Sequence, residues 1–136
     1  MNTEIPLKFR MLSAIMHALG GFAPVISIPI TWILWITTKE LHPFIDRCGR
    51  AALNFQSSVI LYLTVAIVLL STTCGILANF GQFGQSATMM LGYPVFFLMP
   101  IFFAIAFALP IAAAILAALG KFYSYPLTIK FVSEAQ

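Results

Sequence analysis

Between Arg50 and Lys121 the chain carries seventy consecutive residues, 51–120, without one Asp, Glu, Lys, Arg or His. Helices that face water alternate apolar and polar stripes, and nothing in this run supplies a charged stripe. Segments that are apolar on every side are solvated by lipid or by one another. The run therefore points to an all-α integral membrane protein. The composition agrees, with 61% of the residues hydrophobic and 8% charged and a mean hydropathy of +1.00. At 136 residues there is no room for a separate soluble domain, so 1–136 reads as a single membrane domain.

Three apolar blocks organise it. Block one, 11–38, is interrupted by Gly20, Gly21, Pro24 and Pro29, residues that weaken or break a helix, and reads as a broken or re-entrant helical hairpin. A helix expected over 44–80 starts with a cytoplasmic extension, because Phe44, Cys48 and Phe55 recur at helical spacing beside Asp46, Arg47 and Arg50. A second transmembrane helix is expected over 91–119, after an uncharged linker, 79–92, whose Gly and Gln residues read as a turn. Residues 120–136 form a cytoplasmic tail. The expected architecture is a small bundle of four helical segments, a short N-terminal hairpin plus two long transmembrane helices.

Charge sets the expected topology. The seven basic residues are Lys8, Arg10, Lys39, Arg47, Arg50, Lys121 and Lys130. If block one crosses once they divide two against five; if it returns to its own side they divide seven against none. The positive-inside rule favours the second arrangement, with both termini cytoplasmic. The first block is read as retained rather than as a cleaved signal, because it is long and lacks a clean small-residue cleavage site. So few basic side chains serve topology rather than nucleic-acid binding.

The chain is poor in reactive groups. Its acids, Glu4, Glu40, Asp46 and Glu134, lie outside the apolar blocks with no spacing suited to acid–base work. His17 and His42 could ligate haem in principle, but no further ligand has suitable spacing, and no metal or other cofactor is expected. On one helix, Cys48 and Cys74 would be roughly 39 Å apart, far beyond disulfide reach. Asn54 and Gln56, at the start of block two, are the polar residues of most interest. They are positioned to bond the broken backbone near Gly20, Gly21 and Pro24, or to line a polar entrance. Ala104, Ala108 and Ala112 form one small-residue stripe and Ala113 and Ala117 another, which lets helix backbones approach closely in lipid. Tyr123 and Tyr125 precede Pro126, where the last helix gives way to an extended exit.

Two stretches, Ala52–Gln56 (ALNFQ) and Tyr125–Lys130 (YPLTIK), together resemble a bacterial membrane family of unknown function grouped with the Tic-twenty-like proteins, whose namesake is a subunit of the chloroplast inner-envelope translocon. That resemblance implies a small multi-span protein and, as an alternative function, an oligomeric component of a protein-translocation or channel complex. The residues themselves favour a non-enzymatic scaffold or accessory subunit of a larger membrane assembly, in contact with the bilayer and with other subunits or copies of itself. Its expected location is a bacterial inner (plasma) membrane or a related energy-transducing membrane.

Single cysteines placed at Thr3, Thr38, Ser86 and Ser124 test the topology with a membrane-impermeant thiol reagent on intact cells. Labelling at Ser86 alone is the expected result, and labelling at Thr38 and Ser124 with Ser86 protected would mean that block one crosses.

Overall fold

A computed structural model describes residues 5–22 and 24–133. Its helices are α1 (Leu7–Phe22), α2 (Pro24–Thr38), α3 (Pro43–Leu77) and α4 (Gly81–Ala118), with single 3-10 turns at Lys39–Leu41 and Ala78–Phe80. Because the second 3-10 turn joins α3 directly to α4, the helical content falls into three runs rather than four separate segments. The third run, Pro43–Ala118, is long and apolar enough to cross a membrane.

The sequence-based boundary at 91 needs correction. The stretch 79–92 is not a loop, because α4 already begins at Gly81. Its polar side chains bond back into their own helix, Ser86 Oγ donating to the Gln82 carbonyl at 3.1 Å and Thr88 Oγ1 to the Gly84 carbonyl at 2.9 Å. Such local bonds make Ser and Thr compatible with a helix that has no water to offer them. The connection itself is short for identifiable reasons. Asn79 Nδ2 donates to the carbonyls of Gly75 and Ile76 at 3.1 and 3.2 Å, satisfying groups that the end of α3 leaves open. Gly81 takes a positive φ of 58°, a conformation glycine adopts without steric cost.

The chain divides into two compact units, Met1–Ile60 with Ala106–Gln136, and Leu61–Ile105. The second unit contains no charged residue, and much of its surface is large and apolar: Phe83, Met90 and Phe96 are each more than 70% exposed. Every Lys, Arg, Asp, Glu and His of the sequence falls within the first unit's residue ranges.

In the first unit α1 packs on α2. Met16, Trp35, Ile45, Ala52 and Leu53 form one buried cluster with Phe9, Leu12, Ile28, Leu34 and Val132 packed on it; Phe44, Cys48 and Ala117 form another. α3 begins cleanly because His42 is extended (φ −165°, ψ 137°), as the residue before a proline tends to be. Its Nδ1 accepts from the Phe44 amide at 3.0 Å, an N-cap supplied by imidazole, and Asp46 lies in the first turn, where the helix dipole favours a negative charge. α4 ends in a Schellman motif: the Gly120 amide donates to Ala117 O at 2.9 Å, the Lys121 amide to Leu116 O at 2.8 Å, and Gly120 has φ 76°. Cys48 and Cys74 are both free and lie on α3.

Gly84 lies against Leu77, so that a methyl group there would run into the Leu77 carbonyl oxygen and come 2.8 Å from its carbon. Gly92, in the same helix, has open space around it. The Gly84→Ala variant is expected to lose about 1–3 kcal/mol through overpacking, whereas Gly92→Ala is expected to be neutral or slightly stabilising. Thermal unfolding in detergent checks the pair, and equal melting temperatures would contradict the tight turn.

Candidate functional site

A seam of polar side chains runs through the first unit. α1 contributes Ser13 and His17, α2 contributes Ser27 and Thr31, and α3 contributes Asn54, Gln56 and Ser58, all buried. The tail adds Tyr125, which is 7% exposed. Within each of α1 and α2 the polar pair is four residues apart, so both members fall on one helix face. That spacing was the legible signal that could have singled out Ser13, Ser27 and Thr31, which the sequence reading passed over.

Three kinds of contact hold the seam together. Gln56 Nε2 donates to Thr31 Oγ1 at 3.2 Å and rests against Gly20, where a Cβ would come 3.0 Å from that nitrogen. Gln56 thus faces the hairpin, as its position in block two suggested, but its bond goes to a hydroxyl of α2 rather than to broken backbone. His17 Nδ1 and the Tyr125 hydroxyl share a hydrogen bond of 3.0 Å. The Tyr125 ring stacks on Phe55 with centroids 4.2 Å apart and 19° between planes, and Tyr123 meets it edge-on at 5.2 Å. Burial, with smaller contributions from Tyr123 and Cys48, pushes the Tyr125 phenol above its ordinary range, so at neutral pH it acts as an uncharged hydroxyl.

Asn54 performs the third and most specific task. Its Oδ1 accepts from the Val132 amide at 2.7 Å, and its Nδ2 donates to the Val132 carbonyl at 3.1 Å. One side-chain amide thereby satisfies both backbone groups of a tail residue 78 positions away. One turn later Ser58 Oγ donates to the Asn54 carbonyl at 2.7 Å and accepts from the Ile129 amide at 2.9 Å. Asn54 therefore bonds the tail, not the Gly20–Pro24 backbone to which the sequence reading assigned it.

The remaining sites fall as follows. Gly21 lies 3.6 Å from the Phe107 ring by its would-be Cβ. Ala104, Ala108 and Ala112 are exposed, while the neighbouring stripe of Ala113 and Ala117 is fully buried. Pro126 is exposed and precedes Leu127, whose φ of 55° is uncommon for a residue with a side chain. Among the described residues, no three His, Cys, Asp or Glu side chains are grouped so as to hold a metal ion.

Above the seam lies a polar belt. Trp35 Nε1 donates to Asp46 Oδ1 at 3.0 Å, Asp46 Oδ2 pairs with Arg50, and Arg50 Nη1 donates to the Ser133 carbonyl at 3.4 Å. Gly49 makes room for the Trp35 ring, since a Cβ there would press into it, 2.8 Å from Cγ. Lys39 lies 5.3 Å above the Trp35 ring and Arg47 lies 4.5 Å above that of Phe122. Beside the tail α3 leaves a groove of about 400 Å³, lined by Arg47, Arg50, Ser124, Thr128, Lys130 and Ser133 among others.

Replacing Asn54 with Leu leaves both Val132 backbone groups without their partner, and the expected cost is about 1–3 kcal/mol. Hydrogen exchange read at the Val132 amide should accelerate while exchange within α4 stays slow. Unchanged protection at Val132 would show that the Asn54 amide does not hold the tail.

No curated protein and no solved structure matches the chain. A family model does, over residues 8–132, and it is that of the MamF/MmsF magnetosome magnetite crystal formation protein family. This overturns the resemblance to the Tic-twenty-like proteins. The ALNFQ and YPLTIK stretches that carried it lie on α3 and in the tail, where Asn54, Gln56 and Tyr125 make contacts of the polar seam. The match runs from the second residue of α1 through α2, α3 and α4 and along the tail as far as Val132, and the chain belongs to the magnetosome magnetite crystal formation protein family.

Proposed function

We propose that this protein is a non-enzymatic accessory protein of the magnetosome membrane that supports the growth of magnetite crystals. The family match over 8–132 carries the reading. Two features of the molecule support it. The apolar exterior of Leu61–Ile105 suits residence in lipid, where helices satisfy their own backbone groups. The Lys, Arg, Asp, Glu and His residues all lie outside that segment. Most of the seam's hydrogen bonds join its side chains to one another and to the tail. That inventory fits a role in organising a membrane surface better than turnover of a substrate.

In this reading the α1–α2 hairpin does not cross. The two helices have 16 and 15 residues, about 24 and 22 Å at the helical rise, against a hydrocarbon core of about 30 Å. Among the described residues Pro43–Ala118 is the helical run long and apolar enough to span; in this reading it crosses along α3 and returns along α4, so that both termini share a side, and the positive-inside rule favours the cytoplasmic side. Self-association or contact with other membrane proteins would use the exposed apolar exterior of the spanning segment.

Removal of the gene from a magnetosome-forming bacterium that carries it is the test. Electron microscopy of the mutant should show smaller or misshapen crystals inside intact magnetosome membranes, with normal crystals returning on re-expression. Crystals unchanged in size, shape and number would overturn the proposal.

A further inference from the structure

The groove beside the tail has a chemistry that neither the fold nor the family description uses. Its cations come from two elements: Arg47 and Arg50, three apart and so on one face of α3, and Lys130 from the tail. Hydroxyl groups of Ser124, Thr128 and Ser133 line the same space. No carboxylate lines it among the described residues. The one acid nearby, Asp46, is engaged by Trp35 and Arg50, and Arg47 and Lys130 have no carboxylate partner among the described residues.

The two arginines are held in a way that keeps donors available. Arg47 lies over the Phe122 ring, and a guanidinium stacked by its face keeps its N–H edges free. Arg50 is fixed by Asp46 at one nitrogen and by the Ser133 carbonyl at another, while its Nε, buried, has no hydrogen-bond partner. Among the described residues, three positive charges against one negative leave a local excess of two, gathered around a concave space that Ser124, Thr128 and Ser133 also line. Arginine forks and hydroxyl groups are the donors that match the oxygens of a phosphate group.

We propose that this groove binds a phosphate-type anion, either inorganic phosphate or the phosphate of a net-anionic lipid headgroup, with Arg47, Arg50 and Lys130 supplying the charge. The volume of about 400 Å³ is within the usual range of small-molecule sites and admits a headgroup as readily as a free ion. The inference rests on the groove alone and does not depend on the role in crystal growth.

The test uses the full-length protein purified in a non-ionic detergent, with inorganic phosphate, short-chain phosphatidylglycerol and short-chain phosphatidylcholine as separate titrants. Saturable binding of phosphate, of phosphatidylglycerol or of both is expected, weakening as salt is raised because exposed charges are screened. Phosphate binding identifies the free ion as sufficient, and binding of phosphatidylglycerol alone identifies the headgroup. The double variant Arg47→Gln with Lys130→Gln changes two exposed side chains, so it should keep the wild-type melting temperature while affinity falls roughly tenfold or more, the loss of charge-assisted hydrogen bonds. Absence of saturable binding by either anionic titrant, affinity unchanged in the double variant, or equal binding of phosphatidylcholine would each overturn the assignment.

Discussion

The structure depends on how an irregular tail is held without a sheet or a helix of its own. Backbone N–H and C=O groups withdrawn from water must find partners, and residues 121–133 include no helix or strand to supply them. The partners are side chains on α3. Asn54 presents an acceptor and a donor to Val132 in the manner of a neighbouring strand, and Ser58 relays the Ile129 amide to the Asn54 carbonyl. The side chains of α3 thus serve as a short edge for a segment that has none. The aromatic stack of Phe55 on Tyr125 adds apolar burial between the two anchoring residues, so 54, 55 and 58 all address the tail.

This arrangement explains why polar residues are tolerated in so apolar a chain. An unpartnered polar group in a medium without water costs several kcal/mol, roughly the full value of its lost hydrogen bond. Ser13, His17, Thr31, Asn54, Gln56 and Ser58 are gathered into one unit instead of scattered along the helical run. The unit Leu61–Ile105 contains the complementary solution: its hydroxyl side chains at Thr73, Ser86 and Thr88 each bond a carbonyl one turn back, and much of its exterior is aliphatic and aromatic. In the first unit Thr31, Asn54, Gln56 and Ser58 bond one another or the tail, while Ser13 Oγ, His17 Nε2 and Gln56 Oε1 are buried without a hydrogen-bond partner; in the second the hydroxyls bond within their own helices.

Much of this was written in the sequence at the level of elements, and much less at the level of contacts. The charge-free run from 51 to 120 fixed the helical class, and the Pro43 start and Gly120 end follow from local backbone chemistry. Asn54, Gln56 and Tyr125 stood out as polar or aromatic residues in the right region. Their partners did not, since Tyr125 lies 108 residues from His17 and Val132 lies 78 from Asn54, distances over which no periodicity speaks. The stretch 79–92 was misread for a physical reason. Gly and Gln in 79–92 signal a turn, but Ser86 and Thr88 bond carbonyls of their own helix, and Gly81 and Gly84 mark the corner. The basic residues were read for topology alone, although the three-residue spacing of Arg47 and Arg50 already placed two cations on one face; Lys130 could join them only once the tail was known to fold back.

The groove and the seam are consequently not independent. Arg50 bonds the Ser133 carbonyl one residue beyond the Val132 that Asn54 holds, and Lys130 lies in sequence between Ile129 and Val132, whose amides Ser58 and Asn54 hold. The cations from α3 are brought together with the one from the tail only while the tail is docked. An anion that binds all three sees the docked tail and not the released one, and a ligand that binds one of two states stabilises it in proportion to its occupancy. The polar contacts that hold the tail therefore also set the affinity of the groove. Weakening Asn54 or Ser58 lowers the fraction of molecules in which the site exists, while filling the groove draws the tail onto α3.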